Sequence, residues 1–201
     1  MKQETRLGIV LGLNLAMIAG LLTVGLSSHS LGVLAAGGDY IADSVAIGLG
    51  LLAIYIRDRS QGPSKATSIV ALINSLALLV ITALVVFESL RRLLGHTPEI
   101  QGLSVLIVST LAAILMVAGA YILSNEDDED DLHMRSVLLD TISDAASAAA
   151  VAVVGAIILA TKGFYWLDSA VALLIGLVIG YHALKLLRDV VRALRQKTPT
   201  A

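Results

Sequence analysis

A chain of 201 residues that is 57% hydrophobic, only 15% charged and has a mean hydropathy of +0.86 lacks the charge of a water-soluble domain, which is about a quarter of its residues. The absence of cysteine excludes a disulfide scaffold and thiolate metal sites, and a net charge of -2 disfavours a nucleic-acid partner. At 1.5 Å per residue a bilayer crossing takes roughly 20 residues, so six crossings use nearly all of the chain and leave no length for a second, soluble domain.

The first apolar run, residues 7–26, is too long for a cleaved signal and ends in Ser27, Ser28 and His29 without a small-x-small site, so it is expected to remain as a first helix. Apolar runs over residues 31–56, 68–90, 103–123, 137–160 and 164–187 predict five more. Pro63, Pro98 and Pro199 all fall in connections or beyond the last run, which leaves each span free to form an uninterrupted helix whose backbone groups satisfy one another. Gly8, Gly12, Ala16 and Gly20 form a small-residue stripe on the first helix, and Ala148, Ala152, Ala156 and Ala160 another on the fifth. Such stripes let a second backbone approach closely. Asn14, a polar residue within the first span, is expected to make a helix-to-helix hydrogen bond.

Basic residues set the orientation. Lys2, Arg6, Arg57, Arg59, Lys65, Arg135, Lys185, Arg188, Arg192, Arg195 and Lys197 gather on one side, against Arg91, Arg92 and Lys162 on the other. Eleven against three predicts that both termini are cytoplasmic. The expected fold is therefore an all-α membrane protein, a six-transmembrane-helix bundle over residues 1–191 followed by a short basic cytoplasmic tail over 192–201. The protein is expected to be a multi-pass integral membrane protein, of the inner membrane if bacterial.

Four acids lie inside apolar spans: Asp39 and Asp43 on the second helix, Asp140 and Asp144 on the fifth. An ionised carboxylate at that depth costs a few kcal/mol or more and needs a partner or a proton. A spacing of four puts each pair on one helix face with Cβ atoms about 6 Å apart, close enough to hold one ion together. No Lys or Arg lies at comparable depth, so a bound cation or bound protons must neutralise the group. Both pairs read Asp-x-Ile-x-Asp, and each sits on the second helix of a three-helix half, the plan of an inverted repeat with its site where the halves meet. Antiparallel second and fifth helices would level Asp39 with Asp144 and Asp43 with Asp140. The proximity of Asp140 to Arg135 requires the fifth helix to begin earlier, to tilt, or to border an aqueous cavity. Metal binding and proton binding then compete at a coupled set of carboxylates, and a site that faces the two sides in turn makes that competition an antiport.

These residues resemble the cation diffusion facilitator family of divalent-metal transporters over most of the chain. The resemblance is carried by the paired motifs at Asp39 with Asp43 and Asp140 with Asp144, by Ala71-Leu72-Ile73-Asn74 leading to Phe87-Glu88-Ser89-Leu90-Arg91-Arg92-Leu93, and by Tyr165-Trp166-Leu167-Asp168. It implies six-helix protomers that dimerise and exchange cytoplasmic divalent metal for protons by alternating access, with the four aspartates as the transport site. Two departures stand out. The chain has the form of a member without the usual C-terminal cytoplasmic domain, so a homodimer would be held through the transmembrane helices. Asp140 occupies a motif position where zinc-type members carry histidine, making the four-residue set all oxygen. Oxygen ligation favours harder ions such as manganese, while zinc accepts four carboxylate ligands. Zinc is favoured as the transported ion, with manganese, iron, cobalt and cadmium as alternatives, and no bound cofactor is expected.

The remaining charges read more simply. Glu126, Asp127, Asp128, Glu129, Asp130 and Asp131, followed by His133, form a solvated cytoplasmic loop, with cation recruitment as the second reading. Glu88 is expected to pair with Arg91 and Arg92. Asp168 is expected to cap the sixth helix that it opens. His29 and His182 are taken as structural, and Tyr40 as a candidate gate beside Asp39. Two other classes compete with transport: an intramembrane aspartyl protease, whose signatures are missing and which needs one acid pair rather than two, and a non-transporting membrane scaffold, for which buried acids are needless cost.

Overall fold

A computed structural model describes residues 3–57, 65–124 and 132–196, with side chains chiefly over 15–42, 72–118 and 142–192. The described residues form six helices and no strand: α1 (Gln3–Ser27), α2 (Leu31–Arg57), α3 (Lys65–Leu94), α4 (Gly102–Ser124), α5 (Leu132–Thr161) and α6 (Trp166–Gln196). Each corresponds to one apolar run, and each is long enough to cross roughly 30 Å of hydrocarbon. Among the described residues, the segments Leu72–Leu94, Ile142–Thr161 and Trp166–Arg192 carry sufficient unbroken apolar length by themselves. Large apolar side chains such as Ile73, Leu84, Phe87, Ile107, Ile114 and Leu174 point outward, as lipid-facing residues must. α5 begins at Leu132, ahead of its apolar run, which explains how Asp140 lies within the helix although Arg135 is near. α6 continues through Arg192 as far as Gln196.

The helices pair as α1 with α2, α4 with α5 and α3 with α6, and α2 touches each of the other five. The α4–α5 seam is tight because glycine faces backbone on both sides. A Cβ on Gly102 would lie 2.6 Å from the Leu159 nitrogen, and one on Gly155 would lie 2.7 Å from the Leu106 nitrogen. Of the alanine stripe on α5, Ala148 and Ala152 are buried in the core while Ala160 is exposed. The stripe on α1 behaves differently from expectation: Gly12 and Gly20 face open space and Ala16 is exposed. α1 meets α2 through another face, with Met17 and Leu21 in the core. Gly8 and Asn14 have side-chain positions outside the described residues.

The end of the bundle at which α1 passes into α2 is held by a polar clamp. Ser30 N–H reaches back to the Gly25 carbonyl at 3.1 Å, closing α1 around His29, whose φ of 57° is the left-handed residue of such a stop. The first N–H groups of α2 then need acceptors. Ser30 Oγ accepts from Val33 N–H at 3.1 Å. Asp168 accepts from Leu31 N–H at 2.7 Å, Gly32 N–H at 3.3 Å and Ser30 Oγ at 2.5 Å. Asp168 thus caps α2 across the bundle rather than the helix it opens, a correction to the sequence reading. Spacing along one chain gives no sign of a partner 137 residues away. A larger residue at Gly32 would crowd this clamp, because a Cβ would stand 3.0 Å from Asp168 Oδ1 and 3.2 Å from Val151.

Glu88 pairs with Arg91 at 3.2 Å and with Arg92 at 3.0 Å, as expected. Arg92 also donates to the His29 carbonyl at 2.6 Å, tying α3 to the same turn. Pro98 lies in the α3–α4 connection.

Asp168→Ala should cost on the order of 3 kcal/mol by leaving buried N–H groups unpaired, with Asp168→Asn less damaging because one acceptor survives. Thermal unfolding in detergent should rank wild type above Asn above Ala. Gly155→Val should weaken the α4–α5 seam by about 1–3 kcal/mol, read in the same assay as a lowered midpoint.

Candidate functional site

Four helices enclose a cavity of about 210 Å³. α2 contributes Asp39 and Ala42, α3 Asn74 and Leu78, and α5 Ser143, Asp144 and Ser147. One stripe of α6, Ile175, Val178, Ile179, His182, Ala183 and Leu186, forms the remaining wall. The polar lining is concentrated on α2, α3 and α5, and no Lys or Arg is part of it among the described residues.

Local packing explains why these side chains point here. On α2, Gly38 lies against α3, where a Cβ would meet Ile81 at 3.2 Å. Tyr40 is buried and donates to the Ala112 carbonyl of α4 at 3.1 Å. With its neighbours committed to α3 and α4, Asp39 is turned to the cavity bordered by α3, α5 and α6 and is half-buried there. Tyr40 is therefore a tie between α2 and α4 and does not line the cavity, unlike the gate expected of it. On α5, Ala145, Ala148 and Ala152 face the core, which leaves Asp144 and Ser147 on the cavity wall. α6 presses on α3 through Gly176 and Gly180, where a Cβ would meet Val86 at 3.0 Å and Thr82 at 3.2 Å respectively. That contact sets the rotation of α6.

The structure thus brings Asp39 and Asp144, from helices far apart in sequence, onto one cavity. Both have further interactions. The side chains of Asp43 and Asp140 lie outside the described residues, as does the acidic run 126–131. Among the described residues, no three His, Asp or Glu side chains converge to metal-binding distance, so coordination by this lining requires side-chain rotation into the cavity, a change of staggered rotamers. Sequence reasoning missed Asn74, Ser143, Ser147 and His182 as lining residues. For His182 a signal existed: an ionisable residue within an apolar span is by default a site residue. The hydroxyls and amide carry no such signal, since they are common packing residues in membrane helices.

Residues 7–195 match the family model described as the cation efflux transmembrane domain. The chain belongs to the cation efflux family. It is similar to the cadmium, cobalt and zinc/H(+)-K(+) antiporter of Bacillus velezensis, 26% identical over 204 residues that cover 94% of this chain and 64% of that protein. It is likewise similar to the zinc transporter ZitB of Yersinia pseudotuberculosis, 27% identical over 178 residues, covering 86% of this chain and 56% of the relative. The metal cation efflux system protein CzcD of Cupriavidus metallidurans is 27% identical over 202 residues, covering 98% and 63%. The chain spans about three-fifths of the length of these relatives. As a member of this family it is a multi-pass integral membrane protein, and the family is one of transporters, which leaves the protease reading without support.

Since the chain has no native cysteine, Ser147→Cys provides a single reporter for the cavity. A charged, water-soluble thiosulfonate reagent should modify it much faster than Val153→Cys, which faces outward on α5 at 59% exposure. Equal rates, followed by mass spectrometry in lipid nanodiscs, would show that the cavity is closed to water.

Proposed function

We propose that this protein exports divalent metal from the cytoplasm in exchange for protons, with zinc as the favoured ion, and that Asp39, Asp43, Asp140 and Asp144 form the transport site. The observation that carries the reading is the meeting of Asp39 and Asp144 on one cavity whose described lining holds no Lys or Arg. Two carboxylates facing one cavity can hold a divalent cation or protons, and a site that accepts either exchanges one for the other. The names of similar proteins, a zinc transporter and a cadmium, cobalt and zinc antiporter, support a divalent cargo and rank zinc ahead of manganese and iron.

Residues 1–191 form the transport unit in this reading, with a basic cytoplasmic tail over 192–201 and both termini inside according to the distribution of Lys and Arg. Two copies associate through their membrane helices. The packing suits alternating access: the α3–α6 pair rests mainly on α2 and only lightly on α5, and the cavity lies where that pair meets α2 and α5. Rocking of α3–α6 against the other four helices would open the cavity to one side and close it to the other.

Vesicles containing the purified protein, with an acidic lumen, should accumulate zinc while the lumen alkalinises in step with it. Asp39→Ala and Asp144→Ala should each reduce uptake by at least about 100-fold, as expected when a ligand with no substitute is removed. Absence of flux for zinc, cadmium, cobalt, manganese and iron alike would refute the proposal.

A further inference from the structure

Among the described residues lining the cavity, His182 carries the sole imidazole. The six-residue stripe that α6 turns toward Asp39 and Asp144 is otherwise built from Ile, Val, Ala and Leu. Two contacts hold that stripe in place. Near its start α6 is pinned to α2 by Asp168, and at mid-length Gly176 and Gly180 seat it against Val86 and Thr82 of α3. His182 lies fourteen residues beyond Asp168, about 21 Å along the helix. The ring of His182 also packs against Tyr181, with centroids 5.8 Å apart and planes tilted by 55°.

We propose that His182 is a direct ligand of the transported ion within this cavity, acting with Asp39 and Asp144, and that it makes the site prefer zinc to manganese. The inference rests on the transport reading above and deepens it. The carboxylates, the Asn74 amide and the Ser143 and Ser147 hydroxyls all offer oxygen. Oxygen donors alone suit hard ions such as manganese or magnesium, while an imidazole nitrogen shifts the balance toward zinc and cobalt. Zinc takes imidazole nitrogen at about 2.0–2.1 Å alongside carboxylate at about 2.0–2.2 Å, so one histidine and two aspartates supply three ligands of a four-coordinate site. Because no such set converges in the described arrangement, His182 must rotate about its side-chain torsions to reach the carboxylates. Its exposed position on the cavity wall leaves that rotation unobstructed by core packing. A purely structural histidine would bury its ring against a neighbouring helix with a fixed hydrogen bond; none is present for His182 among those the structure describes, and its one ring contact is with the adjacent residue on its own helix.

The test measures zinc and manganese uptake in vesicles by wild type, His182→Gln and His182→Ala, together with X-ray absorption at one equivalent of zinc. His182→Gln should lower the ratio of zinc to manganese uptake by at least about tenfold, which a loss of folding or a general slowing would not do. Zinc-loaded wild type should show imidazole scattering that persists when His29, His96 and His133 are all changed to Gln and disappears in His182→Gln. An unchanged ratio, or oxygen-only scattering in the protein that retains His182 alone, overturns the proposal. If wild type moves no metal, the transport reading fails instead, and the absorption spectrum decides whether His182 binds zinc. If His182→Gln does not fold, the spectrum of the protein with His182 as its one histidine decides in the same way.

Discussion

Hydrocarbon offers no hydrogen bonds, so each polar group carried into the bilayer must find its partner within the protein. In this bundle that constraint is met most sharply at Asp168. Its carboxylate, 1% exposed, takes the N–H groups of Leu31 and Gly32 and the hydroxyl of Ser30. The Asp168 carboxyl group and the N–H groups at the start of a helix satisfy one another there, and in doing so join the start of α6 to the start of α2. Arg92 adds α3 by gripping the carbonyl of His29 and the carboxylate of Glu88. Three helices are thereby registered at one end of the membrane.

That registration matters because α2 is the helix that all the others touch. Once its start is fixed, its faces are assigned in turn: Gly38 to α3, Tyr40 to α4, and Asp39 to the cavity. Asp168 and the acids of the cavity are then opposite in character. Asp168 has its hydrogen-bonding capacity filled by backbone and serine in a site closely surrounded by protein. Asp39 and Asp144 border a space large enough for an ion and several waters, on walls that also hold an amide, two hydroxyls and an imidazole. The same residue type is a fixed cap where it is enclosed and faces open space where it borders a cavity.

The small residues divide in a similar way. Gly102 and Gly155 bring α4 and α5 into backbone contact, and Gly176 and Gly180 let α6 pack closely on the side chains of Val86 and Thr82 on α3. Such contacts fix helix rotation more firmly than large, adaptable side chains would. They therefore decide which residues reach the cavity. The α1 stripe of Gly12, Ala16 and Gly20 meets no counterpart among the described residues, although on spacing alone it is indistinguishable from the alanine stripe of α5.

The number of helices, their approximate limits and their membrane setting were legible in the amino-acid sequence, as were the acids placed within apolar spans. These follow from properties that are local or additive: apolar length, the positions of proline and the spacing of Asp39, Asp43, Asp140 and Asp144 within apolar runs. The Glu88 pairings with Arg91 and Arg92 were legible for the same reason, since they lie three and four residues apart on one helix. Only the tertiary structure decided that Asp168 caps α2, that Tyr40 binds α4, and that Asn74, Ser143, Ser147 and His182 share a cavity with Asp39 and Asp144. Each of these depends on the rotation of one helix against another, and that rotation is set by glycine contacts between distant segments, for which periodicity along a single helix carries no information.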